Sequence, residues 1–225
     1  MRVELELMPI ERILSEHEIN QVIKRNNKPP FAYRNAAIVL ASTYWCLTPF
    51  ELSELRLQDV MDKTGDFFSV WTLPAHASQN GEPRELRTAD HIASVMGRYI
   101  KWWEDNDLYG TGQASYRGRD RMAPFILNDN YEPYALTKRS AGDRARHPVS
   151  MNKKLNSLLK TAGFDNATAS TFRDSGIKLH WDNGAKYNDL KQFTGIKSKK
   201  AIDAKVRPHE AELTSVLSKV FRNIQ

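Results

Sequence analysis

Apolar residues recur along this chain at two periods, three to four residues for helices and two for strands, and the periods mark out its elements. Residues 1–10 alternate like a short leader strand. Ser15-x-x-Glu18 forms a capping box and predicts a helix from about Glu16 to Lys24. The run Asn26-Asn27-Lys28-Pro29-Pro30 ends it. A strongly apolar helix follows, from about Tyr33 to Leu47, and Pro49 opens a third whose face is Phe50, Leu52, Leu55 and Leu57. Phe67 to Leu73 has strand character. Gln79-Asn80-Gly81-Glu82 reads as a hairpin turn, and Pro83 to Thr88 as the return strand. A helix from about Ala89 to Trp103 gathers Ile92, Val95, Met96, Tyr99, Trp102 and Trp103 on one face; the two tryptophans read as core rather than as a base-stacking platform. Helical spacing returns over about 150–162 and 171–181, weakly after Asn188, and clearly over 209–221. The fold class expected is mostly α with a small antiparallel β-sheet, in a single domain over residues 1–225.

Between these elements, residues 105–148 hold one apolar island, Pro124-Phe125-Ile126-Leu127. The segment reads as a long loop with a short strand. Arg117, Arg119, Arg121, Lys138, Arg139, Arg144 and Arg146 make it basic, so it either orders on a polyanion or is a basic insert.

Charge sharpens the picture because it is unevenly placed. The net charge of the 225 residues is +6. Residues 138–225 hold 18 Lys and Arg against 8 Asp and Glu, whereas residues 1–137 hold 15 against 19. A basic half on an acidic half points to a polyanion partner, nucleic acid first. The single Cys46 excludes an intramolecular disulfide and sits in an apolar run, as a small core residue does. No apolar run approaches the ~18 residues of a membrane span, and no signal-peptide core opens the chain. The expectation is a soluble, intracellular protein. No metal-spaced Cys/His cluster, glycine-rich phosphate loop or Ser-His pair is present, so neither metal nor cofactor is expected.

Four stretches then carry a resemblance. Residues 45–55 run WCLTPFELSEL, with Asp59 four residues on. Residues 79–86 run QNGEPREL. Ala162-Gly163-Phe164 precedes Thr168, and residues 168–205 run TASTFRDSGIKLHWDNGAKYNDLKQFTGIKSKKAIDAK. In order and spacing these resemble the motifs of the tyrosine recombinases, the phage integrase family. Those motifs are T-G-L-R-x-x-E-L-x-x-L, a K-x-G-K-x-R hairpin, H-x-L-R-H, L-G-H, and a tyrosine about nine residues later. Glu51, Leu52, Leu55, Asp59, Gly81, Arg84, Arg173 and Gly195 match.

The chemistry does not. The resemblance puts Thr48 at the first arginine, Gln79 at the hairpin lysine, Ser170 and Ile196 at the two histidines and Lys205 at the tyrosine. These losses survive small shifts of register. The sequence has no Arg between Arg34 and Arg56, no Lys between Lys63 and Lys101, no His between His147 and His180 and no Tyr after Tyr187. In the family, two arginines neutralise a phosphoryl group that the tyrosine attacks, and a lysine and a histidine move protons. Removing one such charge-stabilising donor costs a factor of roughly 10²–10³ in rate, and losing the nucleophile removes the covalent path. Arg173 alone remains. It either contacts a phosphate or is held in a buried salt bridge to Glu51 or Asp59.

The resemblance therefore implies a relative of the recombinases that binds double-stranded DNA, or serves assembly in recombination, without cutting, and that comes from a mobile element. Candidate DNA contacts are Arg84, Arg87, Arg144, Arg146, Arg173, Lys197, Lys199, Lys200, Lys205 and Arg207, although each lysine near Gly195 also fits a solvated helix end. Tyr187 precedes the Gly195 box and is read as core or as a DNA contact. The matching region starts near residue 1, so no separate N-terminal DNA-clamping domain is expected. A second reading makes the chain a protein-interaction module, in which the helix within 209–225 engages a second copy or an active recombinase. A third keeps a diverged but active recombinase.

Overall fold

A computed structural model describes residues 12–140, 142 and 145–206. The leader strand, Arg144, Arg207 and the helix expected within 209–225 lie outside the described residues.

Helix α1 (Glu16–Arg25) begins where the capping box places it: Ser15 Oγ accepts from Glu18 N–H, and the Glu18 carboxylate accepts from Ser15 N–H at 2.9 Å. α2 (Ala32–Tyr44) is buried along nine of its thirteen residues and forms the central post. It stops three residues before the expected Leu47, because the backbone turns left-handed at Cys46 (φ 50°) and Leu47 N–H reaches back to Ala41 O. α3 (Pro49–Glu54) follows, with Pro49 in its first turn, then the short α4 (Leu57–Val60). β1 (Val70–Leu73) and β2 (Arg84–Arg87) form an antiparallel pair in the register Val70 to Arg87 and Leu73 to Arg84. α5 (Asp90–Asp105), α6 (Val149–Thr161), α7 (Thr171–Asp182), α8 (Tyr187–Thr194) and α9 (Lys199–Val206) complete the described chain. Mostly α with one small antiparallel sheet is the architecture observed.

One apolar cluster runs from Leu14 through α2, the sheet, α5 and α6 to Phe172, with Trp102 and Trp103 inside it. A smaller one joins Cys46, Ile177, Leu190, Ile202 and Val206. The two meet where α7 crosses α2. Gly176 makes that crossing close: a Cβ there would stand 1.8 Å from Thr43 O and 3.2 Å from Cys46 Sγ. Burial pushes the Cys46 thiol up to about 12.

Residues 105–148 depart from the expected loop with a short strand. Their described part holds a 3-10 turn at Ser115–Gly118 and isolated bridges. Phe125, Ile126 and Leu127 are fully buried, Phe125 N–H donates to Leu55 O at 2.7 Å, and its ring meets Trp45 and Tyr99. The apolar island is thus a core plug. Among the described residues, no helix is long and apolar enough to cross a membrane.

Candidate nucleic-acid interface

The site is built on a corner, a hairpin and two helix ends. At the corner, Thr48 is the N-cap of α3: its Oγ1 accepts from Glu51 N–H and its own N–H donates to the Glu51 carboxylate at 2.8 Å. Glu51 is only 2% exposed, and three more donors converge on it. Arg84 pairs with it bidentately at 2.5 and 2.6 Å, and Gln79 N–H lies at 3.3 Å. Burial works to raise the Glu51 carboxyl, but Arg84 and the Thr48 N–H outweigh it and hold it below its ordinary value.

Arg84 Nε donates to Phe193 O at 2.9 Å, tying the hairpin to the end of α8. α8 ends at Gly195, whose φ of 72° is the left-handed conformation that glycine adopts freely; its N–H donates to Lys191 O. Arg173, on the first turn of α7, donates from Nε to Cys46 O at 2.8 Å and from Nη2 to Thr194 O at 2.7 Å. One guanidinium thereby pins the α2–α3 corner to the end of α8. Glu51 and Asp59 are not its partners; Glu51 belongs to Arg84, and the salt bridge expected of Arg173 does not form.

These parts surround a cavity of about 340 Å³ lined by Thr48, Glu51, Gln79, Asn80, Arg84, Arg173, Thr194, Gly195 and Ile196. A neighbouring cleft of about 430 Å³ shares Asn80, Arg84, Gly195 and Ile196 and continues along α8 past Lys191 to Lys197. Four of the six positions expected to hold vestiges of catalysis, Thr48, Gln79, Arg173 and Ile196, therefore line one cavity. Glu51 and Arg84 neutralise each other within it, leaving Arg173 as its one net positive group among the described residues. Two of that guanidinium's nitrogens already hold backbone carbonyls.

The other two positions stand apart. Ser170 stands at the N-cap position of α7 without a side-chain cap bond, its Oγ 2.8 Å from Thr168 Oγ1, and does not line the cavity. Lys205 turns inward on α9, its Nζ 2.6 Å from the buried Asp174 carboxylate.

Of the expected DNA contacts, Arg84 and Lys205 are corrected. Arg84 is a buried bridge between Glu51 and Phe193, and Lys205 is tied to Asp174. The residues sequence reasoning missed are Asp174 and the lining pair Asn80 and Thr194. Alternation along β2 could have placed Arg84, because it shares the inward face with Leu86. Arg87 stays outward, paired with Glu85 at 3.0 Å, and Lys197 reaches Glu82 across the hairpin. Lys199 lies 4.8 Å above the Tyr187 ring, whose hydroxyl is bonded to Asp203, and Lys200 is exposed. Arg146 pairs with Glu54 at 3.3 Å. Among the described residues, no group of His, Cys, Asp and Glu is placed to hold a metal ion.

The fold is that of the tyrosine recombinase catalytic domain. No family model matches the sequence, and no curated protein matches it. Among solved structures, XerA recombinase superposes with a TM-score of 0.67 at 17% identity, over 97% of this chain and 69% of that one. The Tn1549 transposon integrase in complex with transposon right end DNA gives 0.63 at 12%, over 99% and 69%. A lambda integrase dimer bound to a core site gives 0.58 at 14%, over 91% and 63%. The chain spans 53% of XerH site-specific recombinase bound to its difH substrate, with a TM-score of 0.61.

Proposed function

We propose that the chain binds duplex DNA through the face holding the cavity, the hairpin tip and the α8–α9 turn, and that it does not cut. Its role is that of an accessory or assembly factor in recombination, as part of a mobile element. The observation that carries the reading is what stands around the cavity. Thr48 is a helix cap without charge, and Arg173 is largely committed to backbone carbonyls. Lys205 holds Asp174, so a buried ion pair occupies the α9 position where the resemblance puts the nucleophile. A phosphodiester at the cavity meets one net cation and amide donors, which suits binding and gives no covalent path. Structures of similar fold bound to DNA, among them the Tn1549 integrase and lambda integrase complexes, support a DNA-facing reading of this surface.

The outward cations of this face are Arg87, Lys191, Lys197, Lys199 and Lys200, of which Arg87 and Lys197 are paired with Glu85 and Glu82. Phosphate contacts from the three lysines unpaired among the described residues give a slope of log affinity against log salt of about −2.7. The test is a salt titration of binding to a short duplex, with a search for a covalent adduct on a nicked substrate. A slope near that value, flattened by Lys199→Glu with Lys200→Glu, and no adduct are expected. An adduct would overturn the non-cutting half of the reading; absence of binding even at low salt would overturn the DNA-binding half.

A further inference from the structure

A second basic surface lies on different elements. α1 and the end of α6 enclose a groove of about 870 Å³ whose lining includes His17, Asn20, Gln21, Lys24, Arg25 and Lys28. It shares no lining residue with the cavity around Arg173. Among the described residues, no carboxylate and no large apolar side chain lines it. Among the described residues none of its four basic side chains has an ion pair, whereas Arg84, Arg117, Arg119, Arg146, Lys197 and Lys205 all do.

Of the acids of α1, Glu18 holds Arg12 and the Ser15 N–H, and Glu16 lines the adjoining groove facing α5, which shares Asn20 and Lys24 with this one. The negative end of the helix dipole explains cations at Lys24 and Arg25. It does not explain His17 in the first turn, on the same face seven residues earlier and about 10 Å along the axis. Two side-chain amides, Asn20 and Gln21, lie between.

We infer that this groove binds the phosphate backbone of a second nucleic-acid duplex, so that one chain can hold two duplexes at once. The chemistry selects the partner. Unpaired cations interleaved with amide donors suit a phosphate array, which is contacted without reading sequence. A membrane surface would call for apolar side chains to insert, and a protein interface for an apolar centre; the lining offers neither.

The experiment uses the full chain, one duplex immobilised on beads and a second, fluorescent duplex in solution at low salt. The wild-type chain is expected to capture the fluorescent duplex. The variant Lys24→Glu/Arg25→Glu/Lys28→Glu is expected to lose capture by about tenfold or more, with binding to a single duplex within about twofold of wild type. These side chains are exposed, and an unchanged circular dichroism melt verifies that the variant folds. Capture by that variant equal to wild type overturns the inference and leaves the proposed DNA face standing. The same holds if the wild type binds one duplex but never captures a second. Binding of a single duplex that survives Lys199→Glu/Lys200→Glu but vanishes with the α1 variant supports the groove and overturns the proposed face instead.

Discussion

Glu51 accepts four hydrogen bonds on one buried carboxylate, from Thr48 N–H, Gln79 N–H and two nitrogens of Arg84. Removing either charge leaves the other buried without its partner, so Glu51→Gln or Arg84→Met is expected to cost about 3–5 kcal/mol, read by urea denaturation. The pH sign follows from the depressed carboxyl. Its contribution is fully present above the unfolded value near 4.5 and is lost as pH falls through the lower folded value. The difference in stability between wild type and Glu51→Gln is therefore expected to shrink below pH 4.5. On the proposed non-cutting reading, introducing the family's residue types singly is not expected to bring cleavage. Thr48→Arg removes a helix cap and loses about 1 kcal/mol. Lys205→Tyr strips Asp174 of its lysine and loses about 1–3 kcal/mol. Neither is expected to yield a covalent adduct on a nicked duplex. At this scale the sequence exposed which residue types are missing but not where the remaining ones point. Arg84 and Lys205 were legible as cations; that each faces a carboxylate distant in sequence was not.

Among elements, α1 was readable from its capping box and α3 from Pro49, because those signals are local. α9 was not, since only Ile202 and Val206 mark its buried side amid lysines. Nor was the role of Gly176, because the Thr43 carbonyl it accommodates lies more than a hundred residues away. Gly176→Ala forces α7 off α2 and is expected to cost about 3 kcal/mol, the upper range for overpacking, or to prevent folding; thermal melting checks it. The segment 105–148 shows the same contrast. Its basic composition suggested an insert, yet Arg117 is held by Glu104 at 2.6 Å, and Arg119 by Asp107 and Leu108 O. Lys138 and Arg139 are exposed. Within this segment, limited trypsin digestion is expected to cut first at Lys138–Arg139 and to reach Arg117 and Arg119 only later, as mass spectrometry of early fragments would record.

For the whole molecule, element order and motif spacing made the fold legible, because a chain with this succession of helices and one hairpin has few ways to bury its apolar faces. The charge asymmetry was a coarser guide. Five of the fourteen described cations of residues 138–206 are met by acids: Arg146 by Glu54, Lys154 by Asp129, Lys178 by Asp182, Lys197 by Glu82 and Lys205 by Asp174. The outward field is therefore weaker than the composition suggests, and the salt slope is expected to follow the few free cations rather than the count for the half. Cys46 adds a consequence of another kind. It is the sole cysteine of the sequence, and its sulfur lies fully buried where α7 leans on α2. A thiol-modifying reagent can reach it only when that seam parts, so the modification rate at neutral pH counts partings. The protein carries its own clock for the breathing of the joint on which Arg173 and the cavity depend.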